Sequence, residues 1–461
     1  MNDLVSCAIK YSKDNFSHFL NELKEILQIP SISTDASHVN DMQNAAQWLA
    51  DHLKNLGINR IQIIKTKKHP IVYGEYLEAG RDKPTVLIYG HYDVQPPDPL
   101  ELWKTMPFKP AIDGDYLYGR GSSDMKGQVM VSLAAVESIM KTTKLPVNLK
   151  FLIEGEEEIG SPSIEFFLEK NRGLLNSNVA LNLDAGMINA NTPTIVYGLR
   201  GLAYFEIHIT GPGHDLHSGL FGGIVYNPAQ ALCELLAGMK DKNGVIQLPG
   251  FYDQVISLNT DEKRQLAELP LSDAELLRQT GVEKLWGEKG FTSIERISAR
   301  PTLEIHGILT GYTGEGSKTI IPCSAMAKIS TRLVSNQTPD VVHQQLIQYL
   351  EKKAPNYIRW DVKRLASDPA CIIDCNFYAT KCFSKALKDV WGKKPVYKRG
   401  GGSIPIVAHM QKILGIKSVL SGFGLPDDRI HSPNERLHLP TWKHGIETTI
   451  RFFDYLGKYN D

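Results

Sequence analysis

Four short apolar runs constrain this chain most: Thr85 to Tyr89, Val147 to Ile153, Val179 to Leu183 and Ser418 to Leu420. Segments of helical periodicity, such as Val129 to Met140, separate them. A strand that is apolar along its whole length has to be covered on both faces, and strands alternating with helices build a mostly parallel sheet. An α/β domain is therefore expected. Two helices precede it. Phe16, Leu20, Leu23 and Leu27 recur at helical spacing ahead of Pro30, while Met42, Ala46, Leu49, Leu53 and Leu56 form a second stripe that Gly57 is placed to end.

From about Leu199 the pattern changes. In GLAYFEIHIT, Ala203, Phe205, Ile207 and Ile209 alternate with Tyr204, Glu206 and His208, as in a strand with one wet face. SAMAKISTRLV repeats this, with Ala327, Ile329, Thr331 and Leu333 set against Lys328, Ser330 and Arg332. Asn227-Pro228 and Thr338-Pro339 announce accompanying helices, each a capping residue followed by proline at the first helical position. The expected organisation is an α/β domain over 1–198 and 368–461, interrupted by an α+β domain over 199–367. Residues about 241 to 300 are expected to form a mostly helical excursion within the insert.

Length agrees with this division, since 461 residues at about 150 per domain imply two or three domains. The 51 basic and 51 acidic residues cancel, leaving no long-range pull toward phosphate backbones or anionic lipid, so neither nucleic acid nor membrane is expected as a partner. No apolar run approaches the ~18 residues of a membrane span. The opening MNDLVSCAIKYSKDN lacks a basic segment followed by an apolar stretch, and a cytoplasmic protein is expected. Cys7, Cys233, Cys323, Cys371, Cys375 and Cys382 contain no C-x-x-C pair and read as reduced thiols.

Candidate metal ligands follow the apolar runs directly: His91 in YGHYD, the acids of EGEEE, Asp184, and His431 beyond the fourth run. Strand ends are where such sheets bind ligands. Asp124, in GRGSSDMKG ahead of the apolar helix, is a fifth candidate. Taken singly, each has an ordinary explanation as a loop histidine or a solvated acidic turn. Their coincidence at one rim gives a mixed nitrogen and oxygen donor set suited to Zn or Mn and too rich in nitrogen for Ca or Mg. Asp93, two residues after His91, is placed to take the second imidazole proton.

YGHYDVQP, GRGSSDMKG, EGEEEIGS, DLHSGLFGG, RLVSNQTP, RGGGSIPI and IHSPNE, in this order, resemble the dinuclear metallopeptidase family that includes carnosinase-type cytosolic dipeptidases, aminoacylase, succinyl-diaminopimelate desuccinylase and glutamate carboxypeptidase. DLHSG-x-x-GG leans toward the dipeptidase branch. The resemblance implies a phosphorylase/hydrolase-like catalytic domain, an inserted lid and dimerisation domain, and two divalent metal ions per chain. His91 and Asp184 would each bind one ion, Glu158 and His431 the other, with Asp124 bridging and Asp93 orienting His91. Glu157 matches the general base; Glu156 is a neighbouring acid, but the spacing back from Gly160-Ser161 favours Glu157 and leaves Glu156 a surface carboxylate.

The same resemblance makes His217 the donor to the oxyanion, reaching the site from a partner chain of a homodimer, with His214 as the nearby alternative. Arg332, Gly402 and Ser403 would hold the carboxyl end of a small peptide. An aspartate at the third strand, here Asp184, marks the aminopeptidase and dipeptidase branches and favours substrates with a free amino terminus. A metal-dependent dipeptidase is thus expected; the rival is an amidohydrolase of the same fold acting on N-acyl amino acids, as a deacylase, desuccinylase or carboxypeptidase. A phosphate-cradling role for GRGSSDMKG fits neither nucleotide-loop pattern, and a glycosidase built on Glu157 and Glu158 would have its carboxylates at adjacent positions and leave the histidines idle.

Overall fold

The computed structural model describes residues 3–459, so the outermost residues of the expected catalytic segments, 1–2 and 460–461, lie outside the described residues. The chain forms two compact units, one of residues 1–197, 373–398 and 406–461, the other of 198–372 together with 399–405.

In the first unit a twisted sheet runs in the order Asn59–Ile64, Ile71–Tyr76, Asn148–Glu154, Thr85–His91, Val179–Asn182, Ser418–Leu420, Thr194–Leu199. Its four central strands are parallel and its edges antiparallel. Every residue of Asn148–Glu154 is buried, as a strand covered on both faces requires. Helix Lys126–Met140 is buried through nearly its whole length, which is why its sequence is apolar on all sides rather than striped. It approaches the strand Thr85–His91 so closely that a Cβ on Gly90 would lie 2.5 Å from Val129, which leaves glycine as the residue that fits. Lys126 at its start is fully buried and donates to the carbonyls of Ile26 (3.1 Å) and Ile29 (2.8 Å), satisfying the C-terminal end of helix Phe16–Leu27. Helix Leu439–Gly457 packs alongside, with Trp442 Nε1 donating to Gly127 O at 2.8 Å.

The second unit holds a four-stranded antiparallel sheet in the order Thr302–Thr310, Ser324–Leu333, Gly201–Thr210, Arg359–Asp368. Phe205 pairs with Ile329, and that face is covered by helices Pro228–Ala237 and Pro339–Lys353 to form a separate core. Asn227 and Thr338 cap these helices through the N–H groups of Ala229 (2.9 Å) and Val341 (3.3 Å). The stretch from about 241 to 300 departs from the mostly helical expectation. It contains three short helices, Thr260–Ala267, Asp273–Thr280 and Ser293–Ser298, joined by turns. Local caps, including boxes at Asn259 and Thr292, set their length, and each helix buries only one or two side chains.

No helix among the described residues is long and apolar enough to cross a membrane. None of the six cysteines forms a disulfide.

Candidate metal centre

Strand Thr85–His91 ends on His91, which is paired in register with Glu154, the last residue of its neighbour. The His91 ring is completely buried and its Nδ1 faces Asp93, 3.1 Å from the backbone carbonyl and 3.3 Å from Oδ1. Both partners are acceptors, so Nδ1 carries the proton and Nε2 is left with a lone pair available to a metal. Nε2 lies 3.2 Å from Asp124 Oδ1, 3.9 Å from Asp184 Oδ1 and 3.9 Å from Glu157 Oε2.

Asp124 is reached from two sides. Its other oxygen, Oδ2, is 2.9 Å from His431 Nε2, and His431 Nε2 is 3.3 Å from Glu158 Oε2. The donor atoms therefore form two groups, His91 with Asp124 and Asp184, and Asp124 with Glu158 and His431, the atoms of each lying within 4.8 Å of one another. Asp124 belongs to both. Glu157 belongs to neither.

The turn after Asn148–Glu154 explains how adjacent acids reach one place. Strand structure stops at Glu154, and a single 3-10 turn, Glu157–Ile159, replaces the alternation that would aim neighbours at opposite faces. Gly155 permits the change of course, since a Cβ there would come within 2.4 Å of the Tyr92 ring. Asp93 fixes the turn by accepting the N–H groups of Glu157 (3.3 Å) and Glu158 (3.0 Å), and Gln95 Nε2 donates to Glu158 Oε2 at 2.8 Å. His431 sits at φ +60°, in the left-handed region that non-glycine residues adopt rarely and that functional sites tend to retain.

Glu156 corrects the sequence reading of a surface carboxylate. It is buried and accepts the N–H groups of Lys68 (3.2 Å), His69 (2.9 Å) and Ser163 (3.1 Å), the Ser163 hydroxyl at 3.0 Å, and the Thr66 hydroxyl. Its oxygens are consumed in pinning the acidic turn to neighbouring loops. A second supporting carboxylate, Glu435, escaped the sequence reading although it stands four residues after His431 in IHSPNE. It is fully buried, binds Arg120 at 2.7 Å, and accepts the N–H groups of Gly121, Ser123 and Asp124 at 2.9, 3.0 and 3.1 Å, which holds the loop carrying Asp124.

Crowding four carboxylates here has electrostatic consequences. Burial, with the charges of Asp124 and Glu158, pushes the Asp184 carboxyl up to about 8, and burial raises Glu157 well above the usual carboxylate range. His431 is raised to about 10 by its bonds to Asp124 and Glu158. For Asp124, burial is outweighed by the two imidazoles, and its carboxyl is held below the ordinary value. Buried anions in this number need compensating positive charge. The two groups of imidazole and carboxylate donors are candidate positions for metal ions.

The remaining candidates lie in the second unit. Arg332, on the polar face of its strand, donates to Ser403 Oγ (3.3 Å), and Ser403 Oγ donates to Asp368 at 3.4 Å. Gly402 is uncrowded, a Cβ there meeting no heavy atom within 4 Å. The helix after it, Pro405–His409, is a single turn of five residues. His217 is exposed, and its Nδ1 accepts the Gly219 N–H at 3.0 Å. In the neutral ring that leaves the proton on Nε2, making this edge a donor. His214, three residues earlier, is also exposed.

Residues 87–454 match the model of peptidase family M20/M25/M40. The chain is 34% identical to a Cys-Gly metallodipeptidase of Candida albicans over 95% of each chain, and 34% identical to the human Beta-Ala-His dipeptidase over 98% of this chain and 92% of the other. A metallo-carboxypeptidase of Sulfolobus solfataricus superposes with a TM-score of 0.87 at 32% identity, covering 95% of this chain and 99% of that one. With similarity running through nearly its whole length, the chain is an enzyme that belongs to peptidase family M20/M25/M40.

Proposed function

We propose that this protein is a metal-dependent dipeptidase that holds two divalent cations, Zn or Mn, in the His91–Asp124–Asp184 and Asp124–Glu158–His431 groups. One observation carries the reading: the two donor groups share Asp124 and exclude Glu157, which stands beside them with Oε2 3.9 Å from His91 Nε2. The bound cations would make a water more acidic and polarise the peptide carbonyl. Glu157, free of ligand duty, takes the proton of the attacking water and returns it to the leaving amine. Asp93 holds the His91 tautomer and the acidic turn together.

Nε2 of His217 is the donor to the oxyanion and comes from a second copy of the chain in a homodimer. Support for a homodimer comes from the apolar residues beside it, Leu220 and Ile224, which are 73% and 79% exposed in the single chain. Arg332, with Gly402 and Ser403, receives the free carboxylate of the peptide. The relatives named for Cys-Gly and Beta-Ala-His dipeptides support small peptides with a free amino terminus, and six cysteines outside any disulfide support a reducing, cytoplasmic setting.

A substrate panel run with added Zn or Mn tests the reading. Unblocked dipeptides should be hydrolysed, and N-acetyl or N-succinyl amino acids should be poor substrates. The reverse order would make the enzyme an N-acyl amino acid hydrolase.

A further inference from the structure

Far from the acidic turn in sequence, four helices of the first unit converge on a second cluster of metal-ligating side chains. His18 and Glu22 occupy one face of Phe16–Leu27, His52 lies on Val39–Asn55, Glu137 on Lys126–Met140, and Tyr11 on Asp3–Asp14. His18 Nε2 stands 3.4 Å from Glu22 Oε1 and 3.4 Å from Glu137 Oε1, and His52 Nδ1 stands 3.6 Å from Glu22 Oε1. The ligand atoms of His18, Glu22 and Glu137 all lie within 4.8 Å of one another, and a tetrahedral zinc ion with bonds near 2.0–2.1 Å holds its ligand atoms about 3.3 Å apart, close to the two 3.4 Å separations from His18. Tyr11 donates to Glu137 Oε1 at 3.2 Å, which orients this carboxylate from outside the group, and Trp48 stacks on His52 beside Glu22.

The surroundings also ask for a cation. Glu22 Oε2 is buried without a hydrogen-bond partner. The Glu137 and His52 side chains are 7% and 9% exposed, so neither the second carboxylate nor the imidazole is freely solvated. Burial and the charges of Glu137 and Glu25 raise the Glu22 carboxyl to about 8, while burial and His18 lower His52 to about 4, so the neighbouring imidazole supplies no compensating charge. His18, 48% exposed, leaves an entry path to solvent. One divalent ion would neutralise the two carboxylates.

We propose that His18, Glu22 and Glu137 form a divalent metal site of the zinc type, distinct from the catalytic centre, that pins helix Phe16–Leu27 to Lys126–Met140. It has no part in hydrolysis and acts as a brace. The rival explanation is a protonated His18 bridging two acids with no metal.

Equilibrium dialysis of the full-length protein against buffered Zn2+, followed by elemental analysis, separates the two. Wild type should retain one more Zn2+ per chain than His18→Gln or Glu22→Gln, and its Tm should rise with Zn2+ beyond the rise in either variant, while dipeptide turnover is unchanged. Should these variants fold poorly, Asp124→Asn, which removes the carboxylate shared by the catalytic groups, should still hold one Zn2+ outside that centre, and this ion should be lost on adding Glu137→Gln. Equal zinc content in wild type and His18→Gln, or an Asp124→Asn protein whose zinc content is indifferent to Glu137→Gln, would overturn the site.

Discussion

The carboxylate of Asp93 stands 3.3 Å from Nδ1 of His91 and on its other side accepts the N–H of Glu158 at 3.0 Å. One side chain thus ties the imidazole at the end of one strand to the acidic turn at the end of the next. Asp93→Asn keeps the shape but loses the charge that favours the Nδ1 proton. Metal affinity, measured by competition with a chelator, should fall by about 10–100-fold. An unchanged affinity would mean that the backbone carbonyl of Asp93 orients the ring alone.

Glu157 and Glu158 are separable by their partners. Glu157→Gln should retain metal while turnover falls by at least the ~10²–10⁴-fold typical of a lost general base. Glu158→Gln, which alters a side chain in the Asp124–His431 group, should lose metal. The opposite pattern would exchange the two roles.

Glu156 yields a prediction about stability rather than chemistry. In Glu156→Ala the buried N–H groups of His69 and Ser163 lose their acceptor, a cost of about 1–3 kcal/mol for each donor left unpaired, while the Thr66 hydroxyl keeps the His69 carbonyl. Denaturant unfolding should show the loss at equal metal content. A variant as stable as wild type would mean that water replaces the carboxylate.

His217 can be tested by mixing two inactive proteins. His217→Ala offers a sound metal centre without its donor, and Glu157→Gln offers the donor without a base. After subunit exchange about half of the dimers should be mixed, each with one complete site, restoring about a quarter of wild-type activity for a two-fold assembly. If His217 serves its own chain, the mixture stays inactive although mass spectrometry detects the mixed dimer.

Much of the fold was legible because its signals are local. The central strands announce themselves as unbroken apolar runs, and the helices at Pro228 and Pro339 by cap and proline. Gly57 does end its helix, at φ +84°. The antiparallel edge strands Asn59–Ile64 and Ile71–Tyr76 gave no comparable signal: the first is partly exposed throughout and the second is interrupted by Gly74. Strand ends likewise made His91, the acids of EGEEE, Asp184 and His431 readable as candidates, and Asp124 stood out ahead of an apolar helix. What supports them was not readable, since Glu156 finds partners at Thr66 and His69, and Glu435 grips a loop more than 300 residues away in sequence. Partnerships of that kind exist only once the chain has folded.

Metal removal tests the central claim most directly. The protein should be stripped with a chelator, dialysed, and assayed on an unblocked dipeptide before and after Zn or Mn is returned. Hydrolysis should disappear with the metal and return with it, because without cations Glu157 faces a water it is too weak a base to activate. A metal-free preparation, verified by elemental analysis, that cleaves the dipeptide at the full rate would contradict the account.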